Sequence, residues 1–332
     1  MTAAVPLAEV WRGPILESLH MGHAVICDGS GSIVSSWGDP GAIVYPRSSA
    51  KMIQALPLVQ SGAADAFKLT SKQLALACAS HNGETRHVEA VSAWLADLGL
   101  DDDDLMCGPQ PSRDPELRTA MVRRGQPVLQ GFNNCSGKHA GFLTLAKHLG
   151  APTKGYVELD HPVQKAVFAA FEDVTGEISA GCGLDGCSAP NPACSIQGMA
   201  RAMAWFATAH TRSDDSSKAA ARLVQAMYTH PEMVAGDNRA CTDLMRVARE
   251  PLAVKTGAEG YFIAILPDRG LGIALKVQDG ATRAADCAIA AILSRLGVVD
   301  PQDPLVEKYR VAILRNWKKT PIGEVRPASA LA

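Results

Sequence analysis

The chain has 332 residues, of which 47% are hydrophobic and 20% are charged. This composition is typical of a well-packed globular protein and excludes a disordered or fibrous chain. With 32 basic against 34 acidic residues, the net charge of −2 offers no electrostatic attraction for nucleic acid, so we expect no nucleic-acid partner. No apolar run reaches the ~18 residues that a membrane span needs, and we expect no membrane partner either.

The first 20 residues and the cysteines indicate a cellular compartment. Glu9, Arg12 and Glu17 place charges where an export signal would need an apolar core. The nine cysteines are an odd number, which argues against a disulfide framework in a chain of this length. Both observations favour a cytoplasmic protein whose thiols are mostly reduced and buried.

The N-terminal third changes from a strand pattern to a helix pattern. Short β-prone runs fill residues 8–37, with Asp28-Gly29 and Gly31 as turn residues, and predict antiparallel strands. From Ser48 the apolar residues recur at helical spacing, and similar stripes with Gly and Pro breaks continue to about residue 249. Residues 48–249 are therefore predicted to be mostly helical.

Strands return in the C-terminal part, over residues 255–297. Tyr261–Leu266 and Leu271–Val277 predict a hairpin, and Ala281–Leu296 predicts an amphipathic helix. The residues from Thr320 onward predict an irregular end. Strands at both ends of a helical middle predict an α+β fold, with one antiparallel sheet built from both chain ends and a helical region inserted between them. We expect a single domain over residues 1–332.

Ser48 and Lys51 form a Ser-x-x-Lys motif at the start of a helical pattern, just after Pro46. Residues three apart on a helix share a face, so the Lys51 amine can approach the Ser48 hydroxyl. A lysine that is partly desolvated in an apolar pocket can lose its proton and activate a serine, which alone is a weak nucleophile. The alternative is an N-cap serine followed by a surface lysine.

Two further short motifs follow in the chain, Ser80-His81-Asn82 and Lys255-Thr256-Gly257. Alone, the first is also consistent with a capping loop between helices. In this order, Ser-x-x-Lys, Ser-x-Asn and Lys-Thr-Gly resemble the signature of β-lactamases and penicillin-binding proteins, which implies a serine amidohydrolase of that fold. His81 stands where the lactamase pattern has Asp, and no export signal is recognisable. A cytosolic relative acting on a small amide fits better.

Cysteines and glycines indicate a candidate metal site. Cys135 lies just before a predicted helix, and Cys187 ends the glycine-rich loop Gly181–Cys187. Glycines let the backbone come close to a ligand, and thiolates bind Zn²⁺ well. From ligand chemistry alone, Cys135 and Cys187 are the expected pair of zinc ligands. His139, one helical turn after Cys135, is then the expected third ligand. The alternative is two buried thiols beside an ordinary helix start.

Five blocks of the sequence resemble, in order, the Rhizobium-type L-asparaginases, a class related in fold to the serine β-lactamases. The blocks are Arg47–Lys51, Ser80–Glu84, Phe132–His139, Asp185–Cys187 and Thr256–Gly260. The resemblance extends over nearly the whole chain. It implies hydrolysis of L-asparagine to L-aspartate and ammonia by a homodimer.

The resemblance also implies two catalytic Ser-Lys pairs, Ser48 with Lys51 and Ser80 with Lys255. In this interpretation Ser48 attacks the side-chain amide with Lys51 as general base, and Ser80, polarised by Lys255, relays the proton to the leaving ammonia. Water then resolves the acyl-enzyme. Each serine has its own lysine, so the choice of nucleophile stays open between them.

For the metal, the resemblance implies a zinc ion held by Cys135, Lys138 and Cys187, with water completing the shell. Lys138 then takes the place that chemistry alone suggested for His139. A lysine ligand must be deprotonated, and the metal supplies the driving force. In this family the zinc serves substrate affinity more than bond cleavage.

The expected substrate contacts are Asp185 for the ammonium group or the zinc-bound water, and Arg47 or His139 for the carboxylate. A glutaminase, or another small-amide or β-lactam hydrolase, is the alternative on the same scaffold, because one extra methylene changes binding by only ~1–3 kcal/mol. A catalytically inactive relative that only binds zinc is a third possibility. The two complete Ser-Lys pairs argue against it.

Overall fold

A computed structural model of the chain describes residues 3–331. Its strands are β1 (Val5–Arg12), β2 (Ile15–Cys27), β3 (Ile33–Trp37), β4 (Ile43–Val44), β5 (Cys182–Leu184), β6 (Pro190–Pro192), β7 (Cys194–Ser195), β8 (Ala253–Gly257), β9 (Tyr261–Leu266), β10 (Leu271–Val277), β11 (Ala312–Arg315) and β12 (Pro321–Pro327). Its helices are α1 (Lys51–Gln54), α2 (Leu56–Gln60), α3 (Ala63–Ala66), α4 (Ser71–Ala77), α5 (Thr85–Asp97), α6 (Pro115–Arg123), α7 (Ser136–His148), α8 (Pro162–Thr175), α9 (Ile196–Ala207), α10 (Asp215–Thr229), α11 (Pro231–Val234), α12 (Ala240–Val247), α13 (Thr282–Arg295) and α14 (Pro304–Arg310).

The chain forms two compact units, which we call the sheet unit and the helical unit. The sheet unit comprises the residues up to Ser49, Cys194–Thr208 and the chain from Asp243 onward. The helical unit comprises Ala50–Ala193 and Ala209–Thr242. The first unit is drawn from both chain ends, so the predicted insertion of a helical region into a sheet is confirmed.

The sheet unit contains one large antiparallel sheet. Among residues 3–331 it has eight strands, in the order β11-β12-β1-β2-β10-β9-β8, with β3 paired to β2. Strand β1 pairs with β12 on one side and with β2 on the other, so the first strand lies beside the last. The predicted α+β class, with a sheet built from both chain ends, is confirmed.

The C-terminal elements agree with the prediction in part. Strands β9 and β10 have the predicted bounds and pair antiparallel, and every residue of β9 is buried, as its apolar sequence requires. Helix α13 lies within the predicted Ala281–Leu296. The irregular end predicted from Thr320 is wrong, because Pro321–Pro327 form β12 between β11 and β1.

Helix α9 packs against β2, β9 and β10 in the sheet unit. Gly272 in β10 allows this close approach, since a Cβ there would lie only 2.0 Å from the backbone nitrogen of Ala204. Any side chain at this position would force the helix away from the sheet. Strand β10, which carries this glycine, pairs with β9, and β9 pairs with β8, the strand that contains Lys255.

Helix α7 is the central element of the helical unit, where it packs against α2, α3, α4, α5 and α8. All its residues from Ser136 to Ala146 are buried. Its first turn is polar and includes Lys138 and His139, whose groups need partners inside the protein. None of the helices described between residues 3 and 331 is long and apolar enough to cross a membrane.

Candidate active site and metal centre

Ser48 lies in the sheet unit, in a short turn that the structure assigns to Arg47–Ala50. Arg47 has a φ of 52°, in the left-handed region that residues other than glycine rarely adopt. The next serine, Ser49, is fully buried and donates to the Lys255 carbonyl oxygen at 2.9 Å. Ser49 therefore fixes the turn against β8, while the half-buried Ser48 keeps access to solvent.

Gly257, the last residue of the Lys-Thr-Gly motif, explains why this turn can lie on β8. A Cβ at Gly257 would lie 2.6 Å from the Pro46 carbonyl oxygen and 2.9 Å from Ser49 Oγ. A side chain would therefore push the turn away from the strand. Lys255 itself is fully buried in β8, and its Nζ donates to the Thr256 carbonyl oxygen at 2.8 Å.

Lys51 and Ser80 contact each other in the helical unit, although 29 positions separate them in the chain. Lys51 is fully buried at the start of α1, and its Nζ lies 3.0 Å from Ser80 Oγ. The same amine donates to the Asn134 carbonyl oxygen at 3.4 Å and to the Ala79 carbonyl oxygen. These partners are all neutral oxygens. Proton transfer between a lysine and a serine needs a hydrogen-bond distance of this kind.

The loop after Ser80 is held in place by His81, which is fully buried. His81 Nδ1 accepts a hydrogen bond from the Gly83 N–H at 3.1 Å, which leaves the proton on Nε2 to donate to Ser136 Oγ at 3.0 Å. Burial, followed by nearby positive charges, lowers the pKa of His81 well below its usual value. Neutral His81 thus links the Ser80 loop to the first turn of α7.

The Asn82 side chain, which is 8% exposed, is engaged at both ends. Its Oδ1 accepts from Arg239 Nη1 at 2.9 Å, and its Nδ2 donates to Glu84 Oε1 at 2.9 Å and to the Asp237 carbonyl oxygen at 3.0 Å. Gly236 has a φ of 97°, and a Cβ there would lie 2.5 Å from Glu84 Oε1. Asn82 therefore connects the Ser80 loop by hydrogen bonds to the segment that contains Gly236 and Arg239.

The three residues expected to bind zinc converge at the buried start of α7. Cys135, Lys138 and Cys187 are 4%, 1% and 3% exposed. Lys138 Nζ donates to Cys187 Sγ at 3.1 Å. The Cys135 thiol has one proton, so it can donate one hydrogen bond. The acceptor is either Cys187 Sγ or Asn134 Oδ1, which lies 3.0 Å away.

Hydrogen bonding and charge set the protonation of this cluster. The hydrogen bond from Cys135 lowers the pKa of Cys187 to about 4, with help from the Lys138 charge and against the effect of burial. The same hydrogen bond raises the pKa of Cys135 to about 12. Burial acts to lower the pKa of Lys138, but the charges of Cys187, Cys135 and Asp185 outweigh it and raise that pKa. These shifts favour a thiolate at Cys187, between the Lys138 ammonium group and the Cys135 thiol.

Two cysteine sulfurs in a buried cluster fit the ligand preferences of Zn²⁺, and the Lys138 amine could join them once it has lost its proton. A metal ion would replace the protons that now join the three groups. The alternative with His139 as third ligand does not agree with the structure. Among residues 3–331, no three His, Cys, Asp or Glu side chains are grouped so that they could hold a metal.

His139 instead makes a contact with Tyr156 that the sequence did not indicate. The Tyr156 hydroxyl accepts from the Met106 N–H at 2.8 Å and lies 2.7 Å from His139 Nδ1, to which it can donate. That arrangement leaves the proton of the neutral imidazole on Nε2, a fully buried atom with no hydrogen-bond partner in the part of the chain described. A buried donor without an acceptor is costly, so His139 is suited to bind an acceptor atom of a ligand.

Asp185 lies in the loop before Cys187, half-buried, with its Oδ1 accepting from the Gly186 N–H at 2.9 Å. Its negative charge acts on Lys138 and His139, which places it close to this cluster. The helical unit thus contains seven of the predicted residues: Lys51, Ser80, Cys135, Lys138, His139, Asp185 and Cys187. Residues 47, 48 and 255 belong to the sheet unit.

Comparison with solved structures gives matches at low sequence identity. A chain of Mglu is 15% identical with a TM-score of 0.44, and the match covers 85% of this chain and 68% of Mglu. A β-lactamase from Mycobacterium bovis is 14% identical with a TM-score of 0.41, over 82% of this chain and 94% of that one. A Bacillus glutaminase is 12% identical with a TM-score of 0.48, over 84% and 92% of the two chains.

Comparison at the level of the sequence is more informative. A search of the curated proteins found no significant match. The family profile of L-asparaginase II matches residues 8–327, nearly the whole chain, and so includes every motif described above. The protein is therefore an amidohydrolase, and it belongs to the L-asparaginase II family.

Proposed function

We propose that the protein is an L-asparaginase that hydrolyses L-asparagine to L-aspartate and ammonia by Ser-Lys catalysis. The observation that carries this proposal is the fully buried Lys51 amine, 3.0 Å from Ser80 Oγ. A lysine amine at hydrogen-bond distance from a serine hydroxyl is placed to exchange a proton with it. Membership of the L-asparaginase II family supports the choice of substrate.

In the proposed reaction, the Ser48 oxygen adds to the carbon of the side-chain amide while Lys51 accepts the hydroxyl proton. The carbon–nitrogen bond then breaks, and the proton passes through Ser80 to the leaving nitrogen, which departs as ammonia. Water adds to the resulting ester and releases L-aspartate and the serine. The Lys51–Ser80 hydrogen bond supports a proton path that includes Ser80. Lys255 is proposed as the second base.

The substrate contacts follow from the polar atoms available. The buried Nε2–H of His139 is a donor suited to a substrate carboxylate, and Arg47 is the second candidate for that carboxylate. Asp185 carries the negative charge that an ammonium group requires. A substrate that lacks the carboxylate or the ammonium group should therefore bind more weakly, because one of these charged interactions is not formed.

Ammonia release from L-asparagine and L-glutamine, measured beside nitrocefin hydrolysis, tests the proposal. We expect turnover of L-asparagine with a kcat/KM at least ~10-fold above that for L-glutamine, which is within the range that one methylene can produce. Nitrocefin should not be hydrolysed. Faster turnover of L-glutamine would assign a glutaminase, and no turnover of either amide would indicate an inactive relative.

We further propose that Cys135, Lys138 and Cys187 hold a Zn²⁺ ion. When bound, the ion would supply a positive charge that increases the affinity for an anionic substrate. The two serines and their lysines already provide nucleophile and base, so the metal is not needed for these roles. The 3.1 Å contact between Lys138 Nζ and Cys187 Sγ and the thiolate character of Cys187 support this donor set.

The variants Cys135→Ser and Cys187→Ser should lose most of the bound zinc, because each removes a sulfur ligand. Elemental analysis of purified protein should find about one zinc per chain in the wild type. Both variants, or reversible chelation, should raise KM much more than they lower kcat. Cys182→Ser, a half-buried thiol of the same loop, is the matched control and should keep its zinc. Complete loss of kcat on chelation of folded protein would mean that zinc takes part in bond cleavage.

We also propose a cytoplasmic location and a homodimer. All nine cysteines are without disulfides in the described chain, which fits a reducing compartment. The dimer rests on the resemblance stated above, and light scattering of the purified protein at several concentrations measures it directly. A mass of one chain at all concentrations would contradict it.

A further inference from the structure

An open cleft of about 850 Å³ lies within the helical unit. Its wall is formed by residues of the segments 82–89, 113–116 and 237–239. Lys51, Ser80, Cys135 and His139 are not among the residues that line it. The cleft borders the Ser80 loop, since Asn82 lines it and Arg239 Nη1 donates to the Ser80 carbonyl oxygen at 3.4 Å, but none of those four residues forms its wall.

Three arginines line the cleft, and they differ in their partners. Arg86 is neutralised, since its Nε lies 2.9 Å from Glu84 Oε2 and its Nη2 pairs with Asp237. Arg113 and Arg239 form no ion pair with any carboxylate among residues 3–331. Desolvation at the cleft wall and, next, the positive charge of Arg239 lower the pKa of Arg113, so the two cations are close enough to repel each other. An anion between them would remove that repulsion.

Both arginines are anchored on one residue. The Arg113 N–H donates to the Asn82 carbonyl oxygen at 2.7 Å, and Arg239 Nη1 donates to Asn82 Oδ1 at 2.9 Å. Asn238, which precedes Arg239, has a φ of 58°, so the segment is held in a defined, left-handed conformation. Because the backbone around both side chains is fixed, little ordering is required when a ligand binds.

The cleft also contains carboxylates. Asp114 caps α6 by accepting from the N–H groups of Glu116 and Leu117. Glu89 and Glu116 are exposed on the wall, and the lining as a whole has more carboxylates than guanidinium groups. A wall with two guanidinium groups outside any ion pair and an excess of carboxylates is complementary to a molecule that carries both a carboxylate and an ammonium group.

We propose that this cleft binds a small amino acid, with its carboxylate held by Arg113 and Arg239 and its ammonium group facing Glu89 and Glu116. Guanidinium groups bind carboxylates with two parallel hydrogen bonds, which gives both affinity and orientation. A cleft of this volume is of the size that accommodates small molecules. The proposal rests on the cleft alone and does not depend on the asparaginase activity.

Isothermal titration calorimetry with L-aspartate and with succinate tests this binding without turnover. The wild-type protein should bind L-aspartate more tightly than succinate, which lacks the ammonium group. Arg113→Gln and the double variant Arg113→Gln/Arg239→Gln should weaken L-aspartate binding by at least ~10-fold, as expected for lost charged hydrogen bonds. Arg118→Gln, on the exposed face of α6, is the matched control and should bind normally. The Arg113 side chain forms no hydrogen bond in the structure, so this single variant should fold even if loss of Arg239 disturbs the loop.

A third variant, His139→Gln, separates the cleft from the proposed catalytic site. L-Aspartate binding should survive in His139→Gln, because His139 does not line the cleft. Unchanged affinity in folded Arg113→Gln, equal affinity for succinate, or loss of binding in His139→Gln would each overturn the proposal. If the protein does not hydrolyse L-asparagine, the proposed function is wrong, but the proposed binding of an amino acid in the cleft is not contradicted.

Discussion

Replacement of Lys51 by Met should lower kcat for amide hydrolysis by at least ~10³-fold, because it removes the general base. Lys51 is fully buried, and Met has a similar length without a charge, so the variant should still fill its site. The hydrogen bond to Ser80 Oγ is lost, and so are the donations to the carbonyl oxygens of Ala79 and Asn134. We therefore expect the free energy of unfolding to change as well, by about 1–3 kcal/mol.

Steady-state kinetics and urea denaturation measure the two effects separately. Lys72→Met, a change of the same type at an exposed position of α4, is the matched control and should alter neither quantity appreciably. A folded Lys51→Met protein with near-normal kcat would show that this lysine is not the base. The Ser-Lys mechanism would then be wrong.

The second large effect concerns the two serines. Ser48→Ala should fold normally and lose at least ~10³-fold in kcat, because no binding interaction can replace a nucleophile. Ser80→Ala should also lower kcat, since its hydroxyl is the group that Lys51 contacts. Mass spectrometry of protein quenched during turnover should find the covalent aspartyl adduct on Ser48.

Ser71→Ala, at the exposed start of α4, is the control for both variants and should keep full activity. If the adduct is found on Ser80 and Ser48→Ala keeps near-normal turnover, the roles assigned to the two serines are reversed and Ser80 is the nucleophile. In that case the Lys51–Ser80 hydrogen bond would be the contact of base and nucleophile.

The parts of the site that sequence predicts best are those encoded by neighbouring residues. The Ser-x-x-Lys and Lys-Thr-Gly motifs are read directly, and the β9–β10 hairpin follows from two apolar runs around a turn. The contact between Lys51 and Ser80 cannot be read in this way, because the packing of separate helices and loops sets it. A short motif identifies candidate reactive side chains, but it does not predict which of them are in contact in the folded protein.

Other functional residues have no local signal at all. Tyr156 fixes the tautomer of His139, yet it stands in a segment without a recognisable pattern. Arg239 reaches Asn82 from a position 157 residues further along the chain. Strand β12 also cannot be recognised from its sequence, because it begins and ends with a proline. Its pairing with β11 and β1 is what makes it a strand. Knowledge of tertiary contacts is required in each case.

The position of β1 between β2 and β12 has a consequence for synthesis on the ribosome. Strand β1 is translated long before its second partner, Pro321–Pro327, because the two strands stand far apart in the chain. Until then one edge of β1 has unpaired backbone groups, which invite association with other nascent chains. We therefore expect the sheet unit to complete its folding only after β12 has been made, and to do so slowly, as pairings of high sequence separation require. A premature stop before β12 should yield an aggregating product even though every proposed catalytic residue has been made.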